Sequence, residues 1–308
     1  MIRQIALESF DEIQHLIEEY SASTDEGPFA PTVPLEERLK KGLSEGSIGL
    51  YASFENEQSI GFSVLGLKSG GISIVYASES AEDRFLSKKE LFDFGFDKLS
   101  KEFSLVRIGS SSVDSSLSEY ALTRGFEKYE RKHMTLSRDK ISSLPQRELH
   151  EEFTFAEYTR EGKEEIIKLI YESNAGNIDA HVFPNFFSTP EAVDSLIDNI
   201  EKSVYGKYEE GYSFVLHKLS KPVGVIFLTQ TDDETGYIPD ICIQKEERGQ
   251  GLGRAILVHS FKKMIERKPN ITKINLDVTI DNPARYLYES LGFEDVHHYS
   301  VYLWNIDR

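Results

Sequence analysis

EERGQGLGRAIL, residues Glu246–Leu257, places glycine at 249, 251 and 253, directly after Arg248 and directly before an apolar pattern with helical spacing. Glycine has no Cβ, so a backbone rich in it can come close to another group. Upstream, Gly236–Ile243 reads as a strand. Downstream, the pattern from about Gly253 to Arg267 reads as a helix that stops before Pro269. The loop therefore leads from a strand into a helix. The N–H groups of that first helical turn have no partner inside the helix and carry partial positive charge.

Working outward, the second half reads as strand Phe153–Tyr158, then a helix from Lys163 to Glu172 with Ile166, Ile167 and Ile170 on one face. A loop over Asn174–Pro190 leads to a helix carrying Val193, Leu196, Ile197 and Ile200. Hairpin strands Tyr212–Leu216 and Val223–Thr229 follow. Beyond the glycine loop and its helix come strand Ile274–Ile280 and a helix opened by Asn282 as N-cap and Pro283 at its first position. Gly292 closes that helix, and the last strand is His297–Trp304.

The first half repeats this order. It has a strand Arg3–Leu7, a helix Phe10–Tyr20, a Pro-rich loop Gly27–Pro34, and strands Leu50–Phe54, Ile60–Leu65 and Ile72–Tyr76. A helical stripe of Leu91, Phe92, Phe96 and Leu99 and a strand Leu105–Ile108 complete it. SSLSEYALTRGF (115–126) and NPARYLYESLGF (282–293) are equally long and both end in Gly-Phe. The Leu91–Leu99 stripe matches Ile256, Leu257, Phe261 and Met264 at one constant offset. These are the marks of an internal duplication. The boundary falls around ISSLPQREL (141–149), giving domains 1–142 and 151–308.

Composition agrees. A chain of 308 residues has room for two domains of roughly 150 residues. The net charge is −17, both halves are acidic, and no basic block stands out. A nucleic-acid or anionic-membrane binder needs a positive face, so neither partner is expected. Cys242 is the single cysteine, so no intrachain disulfide can form. The N-terminus is unlike a signal peptide, and no apolar run approaches the ~18 residues of a membrane span. A cytoplasmic protein is expected.

Spacing narrows what the glycine loop can hold. A dinucleotide fingerprint needs a third glycine where Arg254 stands, and the acid expected about 20 residues further on has no clear candidate. A P-loop ends in G-K-[ST], but Gly253 is followed by Arg-Ala. What remains, R-x-x-G-x-G over Arg248–Gly253, suits a diphosphate held by helix N–H groups, with Arg248 and Arg254 adding charge. The alternative is a glycine turn that only starts a helix.

This stretch resembles the pyrophosphate loop of the GNAT superfamily of acyl-CoA N-acyltransferases. YIPDICIQKEER (237–248) resembles the strand that precedes it, and DNPARYLYESLGF (281–293) resembles the family's second signature through Asn282, Ala284, Leu287, Tyr288, Gly292 and Phe293. The resemblance is strong over 151–308 and only architectural over 1–142. It implies an α/β fold of two tandem domains, each a mixed, mostly antiparallel twisted sheet flanked by helices. It implies acetyl-CoA as co-substrate in the V between splayed fourth and fifth strands. The backbone of Ile241, Cys242 and Ile243 would then meet the pantetheine. Arg248, Gly249, Gln250, Gly251, Leu252, Gly253 and Arg254 would hold the pyrophosphate. Asn282 would bond the pantetheine arm, or serve only as the N-cap.

The implied reaction is direct attack of a primary amine, on a small molecule or peptide, upon the acyl thioester. The amine must lose a proton and the departing thiolate must be stabilised. Tyr288 matches the family position whose hydroxyl reaches the sulfur; the alternative is an aromatic core residue. Asp240 is the candidate base, although many relatives carry glutamate one position earlier, where this chain has Pro239. Substrate recognition is expected from Asp179, His181 and Phe183, with packing under a long loop as the alternative. No metal-ligand spacing such as H-E-x-x-H occurs.

Aligned through the Leu91 and Ile256 stripe, the first half has Asp83 opposite Arg248, Leu86 opposite Gly251 and Lys88 opposite Gly253. Aligned through Gly-Phe, it has Ser115 opposite Asn282 and Ala121 opposite Tyr288. It reads as a degenerate copy without a cofactor, half of an internal pseudo-dimer that is compatible with a monomeric chain. Two other functions stay open: an acyl-CoA-binding regulatory module without turnover, and a tandem aminoacyl transferase, which the CoA loop and the acidic charge oppose.

Overall fold

Alternating β-branched and aromatic residues build the sheet of the first half. Strands β1 (Ile2–Gln4), β2 (Ile48–Glu55), β3 (Gln58–Gly66) and β4 (Gly71–Ala77) pair antiparallel in that order. Strand β5 (Leu105–Ile108) joins β4 in parallel at Gly71↔Arg107 and Ile72↔Ile108. The computed structural model describes residues 1–23, 33–109 and 114–306. It divides into one unit of Met1–Tyr129 together with the chain from Ser300, and another of Glu130–Tyr299.

In the first unit a 3₁₀ turn (Leu7–Ile13), α1 (Gln14–Ser23) and α2 (Leu35–Ser44) cover one face of the sheet, sealing Phe10, Ile13, Leu16, Leu50 and Phe62. Helices α3 (Arg84–Leu99) and α4 (Ser115–Thr123) cover the other, around Leu91, Phe92, Phe96 and Val106.

The second unit takes β6 (Glu127–Ser137) from Glu130 onward, then α5 (Arg138–Ser143), β7 (Phe153–Glu157), α6 (Lys163–Asn174), α7 (Ile178–Val182), α8 (Pro184–Phe187) and α9 (Pro190–Glu201). Then come β8 (Lys207–Tyr208), β9 (Phe214–Lys218), β10 (Lys221–Asp232), β11 (Thr235–Ile243), α10 (Leu252–Arg267), β12 (Lys273–Thr279), α11 (Ala284–Leu291) and β13 (Glu294–Asn305). Strands run in the order β7-β9-β10-β11-β12-β6, and only the β11–β12 pair is parallel. Ile256, Phe261 and Met264 of α10 pack with Ile274, Leu276 and Val278 on one face. Ile166, Ile170, Val193 and Ile197 of α6 and α9 pack with Val225, Phe227 and Cys242 on the other.

The units do not follow the sequence split at 142/151. Residues 131–137 pair along their length with β12, and Tyr302–Asn305 pair with β5. Each sheet therefore takes its closing strand from the other half of the sequence. Helix α5 occupies part of the expected linker, and its Ile141 is fully buried. Helices α7 and α8 interrupt the loop expected over Asn174–Pro190, and α2 was not expected because its Leu35, Leu39 and Leu43 are spaced among five charged residues. Of the Pro-rich loop Gly27–Pro34, only Val33 and Pro34 lie among the described residues.

Candidate active site

The site starts with an irregularity in β11. Phe227↔Asp240 and Thr229↔Tyr237 are successive pairs with β10, so β11 carries one residue more than its partner across this step, a β-bulge at Ile238–Pro239. Proline has no N–H to donate and is tolerated in sheets at such bulges. The extra residue resets the alternation. Ile238 and Ile243 enter the core on the α10 side, while Tyr237, Asp240 and Cys242 share the opposite face. Asp240 therefore points where residue 239 would have pointed in a regular strand.

The bulge also ends a pairing. β11 and β12 are joined only at Thr235↔Lys273, Gly236↔Ile274 and Tyr237↔Asn275, although β11 continues to Ile243 and β12 to Thr279. Beyond Tyr237 the two strands diverge, which leaves one backbone edge of residues 238–243 unpaired in an open wedge.

Carboxylates gather along this wedge. Asp179 of α7 accepts from the Thr279 hydroxyl at 2.5 Å and from Asn282 Nδ2 at 2.6 Å. The Asn282 carbonyl oxygen accepts from Ala284 N–H at 2.9 Å, so one side chain both starts α11 and ties it to α7. Asp240 has a fully buried Oδ2 with no hydrogen-bond partner. Burial, and next the neighbouring charge of Asp179, raise its pKa to about 7. Tyr288 lies on α11 in the opposite core cluster, 7% exposed, against Phe293. Its phenol is held well above the usual range by burial and by the charges of Asp179 and Asp240, so it is protonated at neutral pH. The open wedge lets these two faces of the sheet sense each other. Burial and Asp240 likewise push the Cys242 thiol up, which makes it a poor nucleophile.

At the glycine loop, Gly249 and Gly251 both have φ +78, and Gly251 precedes α10 with no side-chain cap on the helix N–H groups. Arg248 is anchored by two of its donors: its Nε donates to Ile243 O at 2.9 Å and its Nη2 to Ser173 O at 2.8 Å, at the C-terminal end of α6. Arg254 turns toward Ser290 on α11. Gly253 serves packing, since a Cβ there would meet Leu287 Cδ2 at 3.1 Å. Leu252 is a core residue, and Gln250 bonds Glu247. The cation beside the uncapped turn is Arg147, which the sequence reading did not single out. A Cβ on Gly251 would overlap its guanidinium.

The first unit shows the contrast. At the matching position Asp83 caps α3 by accepting from Leu86 N at 2.9 Å. There the residues aligned with 249–251 are wound into the helix, whose free N–H groups already have an acidic partner. Of the three expected substrate residues, Asp179 faces the wedge and Phe183 stacks at 4.4 Å on Arg131, while His181 is exposed. No group of metal-binding side chains occurs among the described residues, and none of their helices is long and apolar enough to cross a membrane.

Residues 177–293 match the model of the Acetyltransferase (GNAT) family. A curated relative, the mycothiol acetyltransferase of Corynebacterium jeikeium (strain K411), is 39% identical over 71 residues, which are 23% of this chain and 20% of that protein. The chain thus spans about a fifth of that relative's length. Among solved structures, a tandem GNAT protein from the clavulanic acid biosynthesis pathway aligns with a TM-score of 0.65 at 12% identity, over 99% of this chain and 98% of the other. A GCN5-related N-acetyltransferase from Sphaerobacter thermophilus gives the same TM-score at 16% identity, over 99% and 95%. At these identities the structures speak for the fold. The GNAT family match is thus confined to residues 177–293, while the chain over its length shares the fold of the tandem GNAT structure.

Proposed function

We propose that the second unit moves the acetyl group of acetyl-CoA to a primary amine of a small molecule or peptide, by direct attack. The residues present fit this co-substrate. The unpaired edge of 238–243 offers backbone groups to the pantetheine amides, and the uncapped start of α10 with Arg147 offers donors and charge to the pyrophosphate. When bound, acetyl-CoA supplies an acyl group activated as a thioester.

Asp240 carries the proposal. A buried carboxylate that titrates near neutrality can take the proton an ammonium must lose before it attacks. Tyr288 is protonated at neutral pH and donates a hydrogen bond toward the leaving sulfur; a proton passed to that thiolate is replaced by the one the attacking nitrogen loses, which the raised proton affinity of the phenolate favours. Asn282 holds α11, and with it Tyr288, against α7. Asp240 and Tyr288 thus have opposite proton tasks, set by their different chemistry in one buried environment. The first unit, with Asp83 in its helix cap, is proposed to bind no CoA.

Release of free CoA from acetyl-CoA, measured across a panel of polyamines, amino acids, aminoglycosides and peptides, tests this reading. Calorimetry should give one CoA site per chain. Tight binding without release on any amine would favour the regulatory reading, and two sites per chain would overturn the assignment of the first unit.

A further inference from the structure

Arg131 lies on β6 directly across from Thr279, the residue whose hydroxyl bonds Asp179 at the wedge. It is only 9% exposed. Its guanidinium stacks on Phe183, with Cζ 4.4 Å from the ring centroid, and stands 5.8 Å from the ring of Tyr299. Among the described residues it makes no ion pair; its Nε is fully buried without a hydrogen-bond partner, and the phenol of Tyr299 is the polar group that its side chain meets. The carboxylate on the adjacent strand, Asp277, is already engaged by the hydroxyls of Tyr237 and Tyr299, and His133 Nδ1 stands 3.4 Å from it.

A buried guanidinium without a carboxylate is costly, because desolvation is not repaid by a partner. Such a group is stable where an anion completes it. Stacking on Phe183 orients the planar guanidinium and leaves its edge for a carboxylate, which arginine binds with two parallel hydrogen bonds. Phe183 N–H donates to Asp179 O at 2.8 Å, so the aromatic platform and the wedge carboxylate sit on one short helical turn. A cation-binding position and an anion-binding position are thus linked through Thr279 and the turn that carries Asp179 and Phe183.

We propose that Arg131 receives a carboxylate on the acceptor, and that the acceptor is therefore a zwitterionic amine of the amino-acid type. The amine is presented to Asp240 beside Asp179, while the carboxylate is held on Arg131. This rests on the acyl-transfer reading of the same site.

The test compares lysine with cadaverine and phenylalanine with phenethylamine, pairs that differ by the carboxylate. The wild type should favour the amino acid in kcat/KM by about 10–100-fold, the range of one charged hydrogen-bond pair. Arg131→Gln should erase that preference mainly through KM, leave the decarboxylated amines unchanged, and be rescued only in part by Arg131→Lys. Arg131→Met should melt at the same temperature or higher, since it removes a buried charge that has no carboxylate paired with it. A wild type that prefers the decarboxylated amines, an equal loss on both members of a pair, or a lowered melting temperature in Arg131→Met would overturn the proposal. If no amine of either kind is acetylated, the acyl-transfer reading fails. Calorimetry with lysine alone then decides: heat that disappears in Arg131→Gln supports the carboxylate site, and no heat in the wild type sinks it.

Discussion

Asp240→Asn should make the protein more stable and less active at the same time. The Asp240 carboxyl has its pKa raised from 3.8 to about 7. Three units at about 1.4 kcal/mol each give about 4 kcal/mol. The sign follows from where the proton sits. Between pH 4 and 7 the folded chain keeps a proton that the unfolded chain has lost, so stability falls as pH rises through this window and is level above it. Asparagine copies the neutral acid at every pH. Water that enters the wedge lowers the penalty, so the expected gain is about 2–4 kcal/mol at pH 8, fading to nothing near pH 4. The two units need not unfold together, so hydrogen exchange of the β10 and β11 amides against denaturant is the proper assay. Turnover should fall by about 10²–10⁴, the usual loss of a general base. A variant no more stable at pH 8 than the wild type, or one with full turnover, would refute the placement of a buried, nearly neutral carboxyl in the wedge.

Tyr288→Phe should lower kcat by about 10²–10⁴ with acetyl-CoA affinity nearly intact; an unchanged kcat removes the phenol from the reaction. Asp179→Asn takes a like charge away from Asp240, so the acid limb of the kcat/KM profile should move to lower pH; a limb that stays or rises contradicts the coupling. Arg147→Ala should weaken CoA binding about tenfold or more by calorimetry and leave pantetheine binding alone; equal loss of both would place Arg147 elsewhere. Gly251→Val combines φ +78 with a Cβ that overlaps Arg147, so it should lose CoA binding and about 1–3 kcal/mol of stability; a variant that binds normally denies the loop its role.

The two copies, the order of their main elements and the loop at 248–254 were legible in the chain, because periodicity, glycine and caps are local. The same alignment sets Asp83 opposite Arg248, and in the structure Asp83 is the N-cap of α3. Tertiary structure decided what no window of sequence contains. The closing strands exchange between the halves of the sequence because pairing partners are chosen over long sequence separations, 131–137 with 273–279 and 302–305 with 105–108. Arg248 has the family's position yet donates to the carbonyls of Ile243 and Ser173, while Arg147, a hundred residues earlier in a polar stretch, comes to lie over Gly251. The proton affinity of Asp240 likewise belongs to no motif. It arises from a bulge that turns the side chain inward and from Asp179 brought beside it by a different helix, and desolvation and charge act through space and not along the chain.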